Sequence, residues 1–184
     1  TNLTDNFDNG SYNASIWSTV MGGSSATSCG SYNGSYALYF DGSSSRYAQT
    51  NSINFSNNSS ISFYLKYGSS SSSPCEQVDS GEEVELLYST NGGSTWSVIN
   101  TYTNISSYST FTSITETLPT GAISTNTILK IQQKSNSGTG YDQWAIDKVE
   151  IMAQATSTDS FITNLSAGNV YVTVTDANGC TVND

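Results

Sequence analysis

The chain has 184 residues, of which 35% are hydrophobic and 11% charged, with a formal net charge of −10. This acidic balance leaves no basic surface for neutralising phosphates, which argues against nucleic acids and anionic membranes as partners and makes divalent cations plausible ones. Histidine is absent, which removes Ser-His-Asp and Cys-His catalysis and most transition-metal sites.

The hydrophobic residues follow a period of two along most of the chain, which is typical of β-strands and not of helices. In segment 60–67, for example, Ile61 and Phe63 alternate with Ser62 and Tyr64, as in a half-buried strand. Turn sequences rich in Gly, Asn, Asp and Ser separate such segments. Eight strands are predicted, at 36–40, 45–50, 60–67, 83–89, 95–102, 110–118, 127–134 and 143–152.

Eight strands with long connections predict an all-β fold, a two-sheet antiparallel jelly-roll β-sandwich. An up-and-down barrel is the alternative. No stretch approaches the roughly 20 apolar residues of a membrane span. Nor does a secretion leader open the chain, so we expect a mature or excised part of an extracellular protein.

The composition changes after Met152, which divides the chain into a jelly-roll domain at 1–153 and a short β appendage at 154–184. The appendage is predicted to contain a polar linker and two strands, at 161–165 and 170–175, closed by the turn 176–180. Two strands alone cannot bury a core. The tail is therefore expected to pack on the main domain, to pair with a neighbouring segment, or to begin something longer.

A series of short motifs carries a family resemblance. In chain order they include Asp5-Asn-Phe-Asp8, Trp17, Cys29-Gly30, Tyr36-Ala-Leu-Tyr-Phe40, Cys75, Glu83-Val84, Ser89-Thr-Asn-Gly-Gly-Ser-Thr-Trp96 and Asp142-Gln-Trp-Ala-Ile-Asp147. The set resembles the subrepeat of reelin-type proteins, which are relatives of MAM domains. The resemblance implies a calcium-stabilised, non-catalytic, extracellular jelly roll used for adhesion or ligand recognition. Segment 89–96 also resembles an Asp-box hairpin, with Asn91 where Asp is usual.

The pairing of the cysteines is inferred from the families that the chain resembles. Cys29 and Cys75 match the two cysteines of the reelin-type subrepeat, which implies a disulfide between them. Cys180 ends a segment that resembles the end of the SprB-type repeats of Bacteroidetes gliding and surface adhesins. The first half of that repeat, which usually supplies a partner cysteine, is missing. Cys180 is therefore predicted to be unpaired or to pair outside this chain.

Four carboxylates are the candidate ligands of a Ca²⁺ ion, which prefers oxygen donors. Asp8 follows Phe7, which we expect to be buried in the first strand, and matches the acid after Phe in MAM and reelin-like domains. Asp147 interrupts a strand otherwise destined for the core, where a lone carboxylate would carry a large desolvation cost. Asp142 leads the last motif, and Asp41 lies in the loop after strand 36–40. The alternative is that these acids cap turns and accept backbone hydrogen bonds.

Tyrosines are the candidate ligand-binding residues, because sugar-binding sandwiches stack pyranose rings on Tyr or Trp. Tyr64, Tyr47 and Tyr141 are predicted from strand phase or loop position, and Tyr12 and Tyr102 are further candidates on the same grounds. The alternative is that these tyrosines lie at the edge of the core with solvated hydroxyls. Glu83 and Glu85 share one face of a strand, as a glycosidase pair could. An outward acidic face serves solubility equally well, and no third acid follows at the usual glycosidase spacing.

These patterns together predict a non-catalytic binding or adhesion module of a larger bacterial cell-surface or filament protein. Its partners would be a glycan or surface protein and neighbouring modules or subunits, with Ca²⁺ as the bound ion. The alternative is a carbohydrate-binding module of a secreted polysaccharide-degrading enzyme, and a glycosidase domain is a third possibility.

Overall fold

Two antiparallel sheets form the molecule in the computed structural model, which describes residues 2–153 and the backbone of two short strands at 173–175 and 181–183. The six-stranded sheet contains β1 (Asn2–Asp5), β3 (Gly23–Ala26), β4 (Ala37–Phe40), β6 (Ser60–Tyr67), β9 (Thr112–Thr117) and β11 (Trp144–Met152). The five-stranded sheet contains β2 (Trp17–Met21), β5 (Tyr47–Thr50), β7 (Val84–Ser89), β8 (Ser97–Thr101) and β10 (Ile128–Gln133). The predicted all-β jelly roll is confirmed.

The strand order is that of a sandwich closed by long connections. The six-stranded sheet runs β3-β4-β11-β6-β9, and β1 pairs with the second half of β11, while the five-stranded sheet runs β2-β5-β10-β7-β8. Two short 3-10 helices, Ile105–Tyr108 and Thr120–Ala122, lie in the connections. No helix in the described part of the chain is long and apolar enough to cross a membrane.

All eight predicted strands are present, with ends that differ by up to two residues. Strand 60–67 matches β6, whose residues alternate between half-buried and buried along its whole length. The sequence did not predict β2 or β3, and it placed a first strand around Phe7 without giving its bounds. The expectation for Phe7 is corrected in part: it is fully buried, but β1 ends at Asp5 and Phe7 lies in the following turn with φ +58°.

The main core fills the space between the two sheets with aromatic and aliphatic side chains. Phe40 stacks on Trp144 with 3.9 Å between ring centroids, and both are fully buried. Tyr67 donates its hydroxyl to the carbonyl of Tyr102 and accepts the N–H of Val84, which satisfies its polar end inside the core. The sheets are therefore joined by close packing with paired polar atoms.

A second, smaller core covers part of the outer face of the six-stranded sheet. It contains Cys29, Ala37, Tyr39, Cys75 and Ala145. The structure has the disulfide between Cys29 and Cys75, 46 residues apart, which joins two loops across this face. Because β4 is covered on both of its faces, all four of its residues are buried.

The tail contains a two-stranded hairpin. Strand β12 (Thr173–Thr175) pairs in antiparallel fashion with β13 (Thr181–Asn183). The predicted strand 170–175 is thus present in part, and its partner follows the predicted turn. The predicted strand 161–165 and Cys180 lie outside the described residues, and the domain boundary at 153/154 stays a prediction.

Candidate functional site

An acidic cluster lies at one end of the five-stranded sheet. Asp79, Glu82 and Asp142 bring one carboxylate oxygen each to within 4.8 Å of one another. Glu82 and Asp79 belong to the loop before β7, and Asp142 belongs to the loop after β10. These loops meet because Val84, at the start of β7, pairs with Gln133, at the end of β10.

Hydrogen bonds fix the cluster, but one oxygen is left without a partner. Asp142 accepts the backbone N–H of Asp79 at 3.3 Å and of Ser137 at 2.7 Å. Glu82 accepts the hydroxyl of Ser137 through Oε1 at 3.2 Å. Its Oε2 is buried and has no hydrogen-bond partner among the described residues. A buried oxygen of this kind needs either a proton or a cation.

The pKa values of the two less exposed carboxyls of the cluster, Glu82 and Asp142, are shifted in opposite directions. A protonated Glu82 can donate to the Asp142 carboxylate, and this hydrogen bond, together with burial and the charge of Asp142, raises the pKa of Glu82 to about 7. Burial alone would raise the pKa of Asp142, but hydrogen bonds from Glu82, Ser137 and Asp79 outweigh it and lower that pKa. The two groups therefore share one proton near neutral pH in the absence of a cation. Three carboxylates with hard oxygen donors form a set that could hold a metal ion.

Arg46 holds the loop that carries Asp142. Its side chain is fully buried, and its Nε and Nη atoms donate to the carbonyls of Gly42, Gly138, Tyr141 and Asp142 and to Oε1 of Gln133. Asp41 also binds this loop, because its Oδ1 accepts the N–H of Gly140 at 2.6 Å. Asp41 thus anchors the same loop as Arg46, outside the three-carboxylate cluster.

Asp8 and Asp147, the two strongest sequence candidates, form a separate group. Asp147 is fully buried and accepts the N–H groups of Tyr32 and Asn33 at 2.8 and 3.0 Å, while Asp8 accepts those of Ser35 and Tyr36 at 2.7 and 3.2 Å. Both acids therefore hold the loop 31–36, as the turn-capping alternative predicts. Burial raises the pKa of Asp147.

The side chain of Asp147 points away from the main core, whereas the sequence predicted that it would interrupt that core. Ile146 points into the main core, and Asp147, opposite Tyr64 on β6, lies on the outer face beneath the loop 31–36. A bulge at Lys148, whose φ is +47°, then returns Val149 to the core. The acid is buried by a covering loop and does not interrupt the core.

The outer face of the five-stranded sheet is not covered in the same way. One row across it contains Met21, Tyr47, Gln132, Glu85 and Thr101, and the next contains Thr19, Gln49, Lys130, Leu87 and Val98. Most of these side chains are partly or fully exposed, including Met21 at 42% and Val98 at 52%. We call this surface the open face.

Aromatic rings flank a lysine at the centre of the open face. Lys130 Nζ lies 3.7 Å from the ring centroid of Trp96 and 5.1 Å from that of Tyr47. No ion pair to Lys130 occurs among residues 2–153, and burial lowers its pKa. A cavity of about 240 Å³ beside these residues is lined by Tyr47, Lys130 and Gln132, among others. The open face thus combines aromatic rings, amides and one amine.

The three predicted ligand tyrosines lie in different places. Tyr47 is on the open face, and Tyr64 is on the outer face of the opposite sheet, stacked on Tyr32 with 3.4 Å between ring centroids. Tyr141 is 56% exposed on the loop after β10. The structure therefore does not combine the three into one site, and their role stays a prediction. The further candidate Tyr102 is buried in the main core, because its ring packs between the sheets, and it is not accessible to a ligand.

Glu83 and Glu85 have unlike surroundings. Glu83 is buried, accepts the N–H of Gly81 at 3.0 Å and lies 3.6 Å from Lys134 Nζ, and the Gly81 hydrogen bond is the main reason that its pKa is lowered. Glu85 is on the open face, where it accepts the Thr101 hydroxyl. A low pKa suits a structural carboxylate and not the protonated acid of a glycosidase.

The sequence patterns did not predict the roles of Asp79 and Glu82 in the cluster, of Trp96 on the open face, or of Arg46 as a loop anchor. Asp79 and Glu82 flank a Ser-Gly turn, which is a local signal, but their proximity to Asp142 depends on the pairing of β7 with β10. That pairing joins segments far apart in the sequence. Nothing local in the sequence shows it.

Residues 22–152 match the family described as reelin subrepeat B. The chain belongs to this family. The match includes the acidic cluster and every strand of the two sheets except β1 and β2, in agreement with the resemblance carried by the motifs.

Solved structures with the same fold come from adhesin domains and carbohydrate-binding modules. The K1 cleaved adhesin domain of Lys-gingipain from Porphyromonas gingivalis W83 has a TM-score of 0.57 at 17% identity, over 84% of this chain and 99% of its own. A xylan-binding domain of family 22 has a TM-score of 0.54 at 15% identity, over 84% and 96%. A variant of the family 29 module CBM29-2 has a TM-score of 0.53 at 13% identity, over 90% and 99%. These similarities establish a common fold.

Proposed function

We propose that this reelin-type domain is a non-catalytic, calcium-stabilised extracellular module that binds a glycan through its open face. The observation that carries the proposal is the difference between the two outer faces. The disulfide-linked loops cover part of the six-stranded sheet, whereas Tyr47, Lys130, Gln132 and Trp96 are accessible on the five-stranded sheet. Rings beside amides and an amine complement a pyranose, which has apolar ring faces and an equatorial belt of hydroxyls.

The disulfide and the shared fold support an extracellular location for this module. A disulfide is stable in oxidising compartments, and the fold is shared with an adhesin domain and carbohydrate-binding modules. The parent protein would be a bacterial surface or filament protein containing several modules. A carbohydrate-binding module of a secreted enzyme is the alternative, and a catalytic domain in the same parent chain would favour it.

The glycan proposal is tested by screening the full chain on a glycan array at fixed calcium concentration. Tyr47→Ala should weaken binding of the array ligand about tenfold, since it removes one stacking ring. Tyr64→Ala is the matched control, because it removes the same side chain from the opposite sheet, and it should leave binding unchanged. Equal losses in the two variants, or no ligand on the array, would refute the proposal.

The calcium proposal assigns the ion to Asp79, Glu82 and Asp142. The buried, unpartnered Oε2 of Glu82 and the raised pKa of that residue support it, because a divalent cation would satisfy the oxygen and replace the shared proton. The ion would hold together the loops before β7 and after β10. Asp8 and Asp147, which sequence analysis favours, remain a second proposed set at the loop 31–36.

Thermal melting with calcium and with EGTA tests this assignment. A hundredfold excess of calcium over Kd adds about 2.7 kcal/mol to the free energy of unfolding. Glu82→Gln should abolish most of this gain, and Glu85→Gln, which changes a carboxylate outside the cluster, should retain it. If Asp147→Asn abolished the gain and Glu82→Gln did not, the ion would belong to the second set. No gain in the unchanged protein would refute calcium binding altogether.

A further inference from the structure

A second cavity, unrelated to the open face, lies beside the N-terminal loop. Its volume is about 710 Å³, and its lining includes Asn9, Tyr12, Asn13, Asn33, Lys148 and Glu150. The residues come from the loop after β1, the loop 31–36 and the bulged part of β11. The loop 31–36 is held from below by Asp8 and Asp147. We call this cavity the asparagine pocket.

The asparagine side chains of the pocket are oriented by their own loop. Asn9 Oδ1 accepts the N–H and hydroxyl of Ser11, each at 3.0 Å, and Asn13 Oδ1 accepts those of Ser15 at 3.0 and 2.7 Å. Each Oδ1 is thus engaged within the loop, and each Nδ2 is left as a donor without a partner among residues 2–153. The pocket therefore presents fixed amide donors.

Three other side chains complete the lining. Tyr12 is 38% exposed, so part of its ring is available for stacking. Within residues 2–153, the Lys148 ammonium and the Glu150 carboxylate have no hydrogen-bond or ion-pair partner. One is a donor and the other an acceptor, and their charges cancel. The pocket can therefore both donate hydrogen bonds to a ligand and accept them from it.

These features exclude other classes of ligand. Asp5, the remaining acid of the lining, already accepts from the N–H groups of Phe7 and Asn13 and from Trp17 Nε1. Only Glu150 is then left for a cation, which is too few oxygens for Ca²⁺. An anion would meet one lysine beside one glutamate in a chain of charge −10. The lining is too polar for an apolar ligand.

We infer that the asparagine pocket binds a neutral pyranose, with Tyr12 stacked on the sugar ring and the amides of Asn9, Asn13 and Asn33 bound to its hydroxyls. The number of hydroxyls on a pyranose suits several amide donors and one free acceptor that converge on one cavity. This site is independent of the open face. A domain with both sites would hold two separate sugar units.

The test is a titration of the full ¹⁵N-labelled chain with methyl glycosides of glucose, galactose, mannose and xylose, followed by NMR. At least one of these should shift the side-chain amide signals of Asn9, Asn13 and Asn33 in a saturable manner. Methyl β-glucuronide is the charged probe, and it should bind more weakly because of Glu150 and the overall acidity of the chain. If no glycoside shifts these amide signals, the inference is wrong.

Two variants separate the pocket from the open face. Tyr12→Ala should weaken the glycoside about tenfold through loss of stacking, while Tyr47→Ala should leave these shifts unchanged. Asn33→Ala keeps the backbone N–H that Asp147 accepts and should also weaken binding. If Tyr12→Ala had no effect, or if Tyr47→Ala abolished the shifts, the asparagine pocket would not be the site. A glycan array without a ligand would refute binding at the open face, but it would not change the outcome of this NMR titration of the asparagine pocket.

Discussion

Arg46 supplies the hydrogen bonds that fix the loop behind the acidic cluster. Its five hydrogen bonds go to four carbonyls and Gln133. Arg46→Lys keeps the charge but cannot reproduce this planar set of donors. We expect a loss of about 3 kcal/mol in the free energy of unfolding, because buried carbonyls lose their partners. Urea denaturation measures it, with the exposed Lys134→Arg as control. Equal stability of the two variants would contradict this role.

Glu82 should make the cation-free protein sensitive to pH near neutrality. Its folded pKa of about 7 is above its ordinary value of 4.5, so the folded state binds the proton more tightly. The resulting stabilisation is complete below pH 4.5 and is lost as the pH rises through 7. The lowered pKa of Asp142 acts at lower pH, outside this window.

Melting in EGTA at several pH values measures this effect. The Tm of the unchanged chain should fall between about pH 5 and pH 7.5, and Glu82→Gln should flatten that part of the profile, because glutamine does not titrate. Saturating calcium should flatten it as well. An identical slope in the variant would assign the pH dependence to another group.

Single residues could be predicted from the sequence where local chemistry determined them. The burial of Asp147 followed from its apolar neighbours, but its outward direction followed from the bulge at Lys148, which has no clear sequence signal. The outward direction of Tyr47 followed from its strand phase, and its role in binding stays a prediction. Trp96 was recognised only as the end of the segment that resembles an Asp-box hairpin, and its position beside Lys130 depends on the pairing of β7 with both β8 and β10.

At the scale of elements, the disulfide joins two loops over β4 and β11. In the chain-entropy model, its closed loop of 46 residues contributes about 4 kcal/mol to the free energy of unfolding. The double variant Cys29→Ala/Cys75→Ala should lose about that amount in urea denaturation. The unchanged chain after reduction should lose a similar amount. Unchanged stability would mean that the small outer core needs no covalent link.

Strands with strong alternation were predictable, and short polar strands were not. The sequence determines β6 and β11 closely because eight or nine residues carry the pattern. By contrast, β3 has the sequence Gly-Ser-Ser-Ala, and it is a strand because it pairs with all four residues of β4. Tertiary pairing overrides weak local propensity in such cases.

At the scale of the whole molecule, the described strands of both large sheets all lie within residues 2–153. Strand β1 closes the six-stranded sheet against β11, whose last paired residue is Met152. Deletion of residues 155–184 should therefore preserve the calcium-dependent melt. The tail hairpin is too small to form a core, and its edges need a neighbour. We expect the deletion to weaken self-association in sedimentation experiments. A truncated chain that failed to fold would move the domain boundary into the tail.

The binding claim is tested most directly by mapping a glycan selected on the array onto the two outer faces. Backbone amide shifts of the ¹⁵N-labelled chain should change at Tyr47, Lys130 and Gln132 on the open face. The amides of Tyr64 and Ala145, on the opposite sheet, should not change. Shifts confined to the six-stranded sheet, or none on the open face at saturating glycan, would contradict the account.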